Sequence, residues 1–163
     1  MISSRPFCSA VAWLAALALL TVHATALAET PQERVHRKSA HVMPFEMSKT
    51  VHVFRMTTFG GVQRVLVRDP ADADQVPLIR RHLEREAERF GRGDYSDPAA
   101  LHGADMAGLA VLEANPGKVE VTWSGLPAGA RIRFETDDPE VLTAIHRWFG
   151  AQLSDHGADA RAE

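Results

Sequence analysis

The chain has 163 residues, of which 45% are hydrophobic and 24% charged, a balance that suits one globular domain and excludes collagen-like and low-complexity classes. Its formal charge is −3, with no block of Lys and Arg, which excludes the basic footprint of a nucleic-acid-binding protein. A single cysteine, Cys8, excludes a disulfide framework.

At the N-terminus, Arg5 precedes an apolar run from Ala10 to Val22, and small residues then lead to Ala26-Leu27-Ala28. That order of charged, apolar and small-residue regions predicts a cleavable signal peptide at residues 1–28 and an exported, periplasmic or secreted product. The apolar run is about thirteen residues, short of the roughly twenty that cross a bilayer as a helix, so no stable membrane anchor is expected. Cys8 would leave with the signal and take thiolate chemistry with it. Residues 29–48 are polar, lack a sustained period and are interrupted by Pro31 and Pro44, which predicts a flexible leader.

The folded domain is expected over residues 49–156. Val51 to Thr57 and Val62 to Arg68 are rich in β-branched and apolar residues and flank Phe59-Gly60-Gly61, the pattern of a β-hairpin. Val76, Ile79, Leu83, Ala87 and Phe90 then recur at helical spacing behind Asp72 or Asp74 as cap, until Gly91 and Gly93. The other side of this helix, with Arg80, Arg81, Glu84, Arg85, Glu88 and Arg89, reads as a solvated face. Asp97-Pro98 opens a short helix reaching His102, and a second runs from Asp105 through Leu112 to Asn115-Pro116-Gly117.

The second half repeats the first. Val119, Val121 and Trp123 alternate along one strand and Ile132 and Phe134 along the next, with Leu126-Pro127-Ala128-Gly129 between them. Asp138-Pro139 then starts a helix carrying Val141, Ile145, Trp148, Phe149 and Leu153. The expected fold is therefore α+β: a two-layer sandwich with a four-stranded antiparallel sheet from two β-β-α pseudo-repeats and helices on one face. Residues 157–163 are expected as a flexible tail.

Histidine and methionine dominate the candidate chemistry: His36, His41, His52, His82, His102, His146 and His156, with Met43, Met47, Met56 and Met106. Imidazole and thioether together suit copper, and imidazole suits zinc. His102 and Met106 stand one helical turn apart, although Gly103 disfavours a helix between them. His82 and Glu86 share that spacing on the strongest helix, and side-by-side packing of the two main helices would bring His146 toward His82. His156 follows as a further donor near a helix C-terminus, where it can also favour the helix dipole. The expected metal ligands are thus His82, His102, Met106, His146 and His156. His41, Met43 and Met47 lie in the expected leader, where mobility would weaken binding. His52 and Met56 read as strand residues facing solvent or a partly buried sheet surface.

Catalytic signatures are missing. There is no Gly-x-Ser-x-Gly elbow, no Walker lysine and serine near Gly60-Gly61, and no His-Glu-x-x-His zinc motif.

Phe59-Gly60-Gly61-Val62-Gln63, Gly93-Asp94-Tyr95-Ser96-Asp97-Pro98, Leu101 to Met106 and Ile145-His146-Arg147-Trp148-Phe149 resemble a family of small exported bacterial proteins. Members of that family sometimes bear the name aspartate carbamoyltransferase. The Ser-Thr-Arg-Thr turn and His-Pro motif of true carbamoyltransferases do not occur here, and such enzymes are about twice as long with two α/β domains, so the resemblance carries no functional residues over.

Two classes of function follow. One is an exported protein that carries or buffers copper or zinc through the five named side chains. The other is a metal-free module that binds a small ligand or a protein, with Trp123 and Trp148 as anchors; a carbamoyltransferase-type enzyme is a minor third. Metal binding requires at least three of the named side chains to converge within coordination distance, and a metal-free module leaves them scattered over separate surfaces.

Overall fold

Alternation of apolar residues builds the sheet. β1 (Thr50–Thr57) and β2 (Gly60–Val67) form the antiparallel hairpin that the diglycine turn predicts, with His52 opposite Val65 and Phe54 opposite Gln63. β3 (Glu120–Leu126) and β4 (Gly129–Glu135) form the second hairpin, and β4 joins the first through antiparallel pairing with β2, Ile132 opposite Gln63. The computed structural model describes residues 28–163, so the expected signal peptide, apart from Ala28, lies outside the described residues.

The sheet differs from expectation in one strand. β5 (Ala160–Ala162) pairs parallel with β1, giving a mixed five-stranded sheet of order β3-β4-β2-β1-β5. It lies in the expected flexible tail. Three residues are too few to display alternation, and the strand is held by backbone groups that the side-chain pattern does not report.

The expected leader is corrected too. Residues Pro31–Val42 form helix α1, opened by a capping box in which Glu33 N donates to Thr30 Oγ1 at 3.2 Å and Thr30 N donates to Glu33 Oε2 at 2.8 Å. Pro31 occupies the first turn, where its missing N–H costs nothing. Val35 is buried, and Met43, Phe45 and Met47 behind the helix are buried too, so this segment belongs to the core.

Four further helices complete the fold: α2 (Val76–Gly91), α3 (Ser96–His102), α4 (Leu109–Ala114) and α5 (Pro139–His156). Asp138 caps α5 by accepting from Glu140 N and Val141 N at 2.9 and 3.2 Å. The strand-strand-helix order does recur, but each helix serves the sheet differently from a simple repeat. α2 packs on β3 and β4, whereas α5 packs on β1 and β2. At that second contact a Cβ on Gly61 would come within 2.4 Å of Phe149 Cε2, so glycine admits the ring.

The helices cover one sheet face, where Phe54, Val65, Ile132 and Phe134 enter the core. Trp148 is its centre, with Phe90, Tyr95 and Phe134 edge-on at 5.5, 5.4 and 5.5 Å. Among the described residues no helix is long and apolar enough to cross a membrane.

Candidate functional site

Four histidines meet under the helices. His52 points inward from β1, with Gln63 on the same sheet face opposite Phe54, while α2 presents His82 and Glu86 one turn apart. α5 presents Trp148, Gln152 and His156 at four-residue intervals, which places them in one stripe. His102 closes the ring from the end of α3, and Met43 enters from the turn after α1. Together these side chains line a cavity of about 40 Å³. That is room for roughly three waters at about 10–15 Å³ each, far below the roughly 300 Å³ at which organic-ligand pockets begin.

Burial sets the charge of the ring. It pushes His52 down to about 3, with His82 and His102 adding repulsion, and His82 down to about 4, with Arg85 adding to the effect. His156 is lowered well below its ordinary value by burial and then by His52 and His102. Burial lowers His102 as well, against the opposing pull of Asp155. All four are therefore neutral imidazoles at neutral pH, each with one nitrogen lone pair.

The hydrogen bonds decide which lone pairs are free. His102 Nδ1 lies 3.0 Å from Asp155 Oδ2, so Nδ1–H donates to the carboxylate and Nε2 keeps its lone pair. Arg85 Nη2 lies 2.9 Å from His82 Nδ1 and is a donor only, so the lone pair of His82 is already used. The Nδ1 atoms of His52 and His156 are buried without a partner, as are Gln63 Oε1 and Trp148 Nε1. His52, His156 and His102 form a contiguous row, with ring centroids 4.5 and 5.0 Å apart.

A carboxyl pair borders the row. Glu86 is pushed up to about 7 by burial and by neighbouring Asp97, with Arg89 opposing. Arg89 is itself held by Asp97 at 2.6 Å and Asp94 at 2.9 Å.

Of the five expected ligands, His82, His102 and His156 line this cavity. Met106 is buried in the core away from it, because Gly103 ends α3 at φ +115° and breaks the helical turn that would have aligned Met106 with His102. His146 does not approach His82; its Nε2 donates to the carbonyls of Thr57 and Gly60 at 3.0 and 2.9 Å and pins α5 to the β1–β2 turn. Among the described residues no three His, Cys, Asp or Glu side chains converge as a ready ligand set. The expected convergence within coordination distance is thus not found among the described residues, although three of the five named side chains line one cavity.

Two cavity residues, His52 and Met43, lie outside the five expected ligands. Alternation along β1 places His52 and Phe54 on one face, and the apolar company of Phe54 is the signal that this face turns inward. Glu86, read beside solvated arginines, is 4% exposed. No protein-family model, curated protein or solved structure matches the chain.

Proposed function

We propose that the protein binds and buffers a copper or zinc ion outside the cytoplasm, using His52, His102 and His156. The observation that carries this reading is the row of three neutral imidazoles with unengaged ring nitrogens beside a cavity sized for an ion and a few waters. Transition metals take the neutral imidazole, so ligands whose protonation is suppressed by burial stay competent well into the acid range. Asp155 fixes His102 with Nε2 outward, the carboxylate-histidine arrangement that orients metal ligands. Ring spacings of 4.5 and 5.0 Å are within reach of two imidazoles sharing one ion at about 2 Å each. Ligation then needs side-chain rotations that turn the nitrogens to a common point. The thioether of Met43 on the cavity wall adds a donor suited to Cu(I).

A second reading rests on Gln63 Oε1 and Trp148 Nε1, an acceptor and a donor left unpaired beside the same cavity. A very small polar molecule that both donates and accepts would satisfy them without metal. The carbamoyltransferase reading draws no support here, since the imidazoles are neutral and the Arg89 guanidinium is taken up by acidic side chains.

Calorimetric titration of untagged protein with Cu(I), Cu(II) and Zn(II) separates the readings. Stoichiometric binding that falls at least tenfold in His102→Gln and His156→Gln, and is unchanged in His146→Gln, supports metal binding. Lack of saturable binding by all three ions rejects it.

A further inference from the structure

The sheet face opposite the helices carries a second, unrelated pattern. Side chains one residue out of phase with the core line it: Val51, Val53 and Arg55 on β1, Val62 and Arg64 on β2, Arg131 and Arg133 on β4, and Arg161 on β5. Read across the strands, one row runs Arg161, Val53, Arg64, Arg131, and the next runs Arg55, Val62, Arg133. The chain as a whole is mildly acidic, so this concentration of cations is invisible in the net charge of −3.

The arrangement opposes stability. Arg64 and Arg131 stand directly opposite each other on neighbouring strands, a placement that costs energy for like charges. The Arg64 guanidinium is pushed down by burial and then by Arg55, Arg161 and Arg131. Acidic side chains offset little of this. Glu163 pairs with Arg64 and Glu135 with Arg133, while Arg131 reaches only the Ser124 hydroxyl, at 2.6 Å. Arg55 and Arg161 make no ion pair among the described residues. Val53, between Arg161 and Arg64 in this row, is only 1% exposed.

We propose that this outer sheet face docks an acidic polypeptide segment, whose carboxylates are taken by Arg55, Arg64, Arg131 and Arg161. Carboxylates already occupy two positions of the array, those of Glu163 and Glu135, and the planar guanidinium fork matches carboxylate geometry. The face offers Thr122 and Ser124 beside the arginines, and at its edge the Phe59 ring is already engaged by the Arg133 guanidinium, 4.0 Å from the ring centroid. An extended acidic strand spans the row and neutralises charges that the fold leaves facing one another.

The test is fluorescence anisotropy of a labelled glutamate decapeptide, with a glutamine decapeptide as control, alongside vesicles containing anionic phospholipid and a single-stranded oligonucleotide. The expected result is saturable binding of the glutamate peptide that weakens with salt and falls at least tenfold in Arg64→Glu/Arg131→Glu, while Arg81→Glu on the exposed flank of α2 leaves it within twofold. Arg131→Gln serves where charge reversal disturbs folding: it weakens the peptide severalfold and leaves the melting temperature equal or higher, opposite signs that a merely structural residue does not give. Binding insensitive to these substitutions, no saturable binding of the glutamate peptide, or tighter binding of vesicles or oligonucleotide at equal salt overturns the proposal.

Discussion

The two faces of one sheet put neighbouring residues into opposite environments. His52 and Gln63 turn under the helices, while Val53 and Arg64, one position further along the same strands, turn outward. Inside, burial strips four histidines of charge and leaves ring nitrogens without partners. Outside, arginines keep their charge and crowd one another because solvent tolerates it. The inner face therefore selects a ligand that accepts lone pairs, and the outer face one that carries negative charge.

The contrast breaks most visibly in β4, where Ile132 faces inward and Arg131 outward. Ile132→Ala is expected to cost about 2–5 kcal/mol by urea denaturation, because the side chain is fully buried in a packed core. Arg131→Gln should stay within about 0.5 kcal/mol of the parent or exceed it. Equal losses at both positions would remove the distinction between the faces.

Acidification is expected to give the next largest effect. The folded-state pKa values of the four histidines lie below the ordinary 6.5, so the unfolded chain binds more protons as pH drops beneath that value. Their stabilisation is fully present above 6.5 and is lost as pH falls through about 4 for His82 and about 3 for His52. Each titrating histidine contributes up to about 1.4 kcal/mol per pH unit in that window. Glu86 acts oppositely: raised to about 7, its contribution is present below 4.5 and is lost as pH rises through 7. Four histidines outweigh one carboxyl, so denaturation midpoints should fall from neutral toward acid pH, and Glu86→Gln should steepen that fall.

Gly61→Ala sharpens the same comparison from the inner side. Its new Cβ would meet the Phe149 ring at 2.4 Å, and the overpacking should cost about 1–3 kcal/mol. Thr30→Ala, which removes the α1 cap remote from both faces, should cost about 1 kcal/mol. Thermal melts rank the two.

Legibility in the sequence followed the strength of periodicity. The two hairpins, α2 and α5 were readable because their apolar positions recur at two or at three and four. α1 was not, since only Val35 and Ser39 within it are buried; its capping box, Thr30-Pro31-Gln32-Glu33, was the available sign. β5 left none, being three residues held by backbone pairing. At the site, His82, His102 and His156 were chosen for local spacing, yet the row that forms joins β1, α3 and α5 across more than a hundred residues of chain. No local spacing encodes His52 beside His156. Met106 and His146 illustrate the converse, since helical spacing proposed partners that Gly103 and two backbone carbonyls of the β1–β2 turn denied. The arginine array was hidden for the same reason: its members are scattered over four strands and only register assembles them.

The most direct test of the histidine row is long-range ¹H–¹⁵N NMR of the imidazoles during titration with Zn(II) or Cu(I). Without metal, His102 should report a proton on Nδ1 and His82 a proton on Nε2. On addition of metal, ring nitrogens of His52, His102 and His156 should shift together to a single saturation point, with those of His82 and His146 unmoved. Shifts confined to His36 and His41, or none at all, would contradict the assignment of the cavity as a metal site.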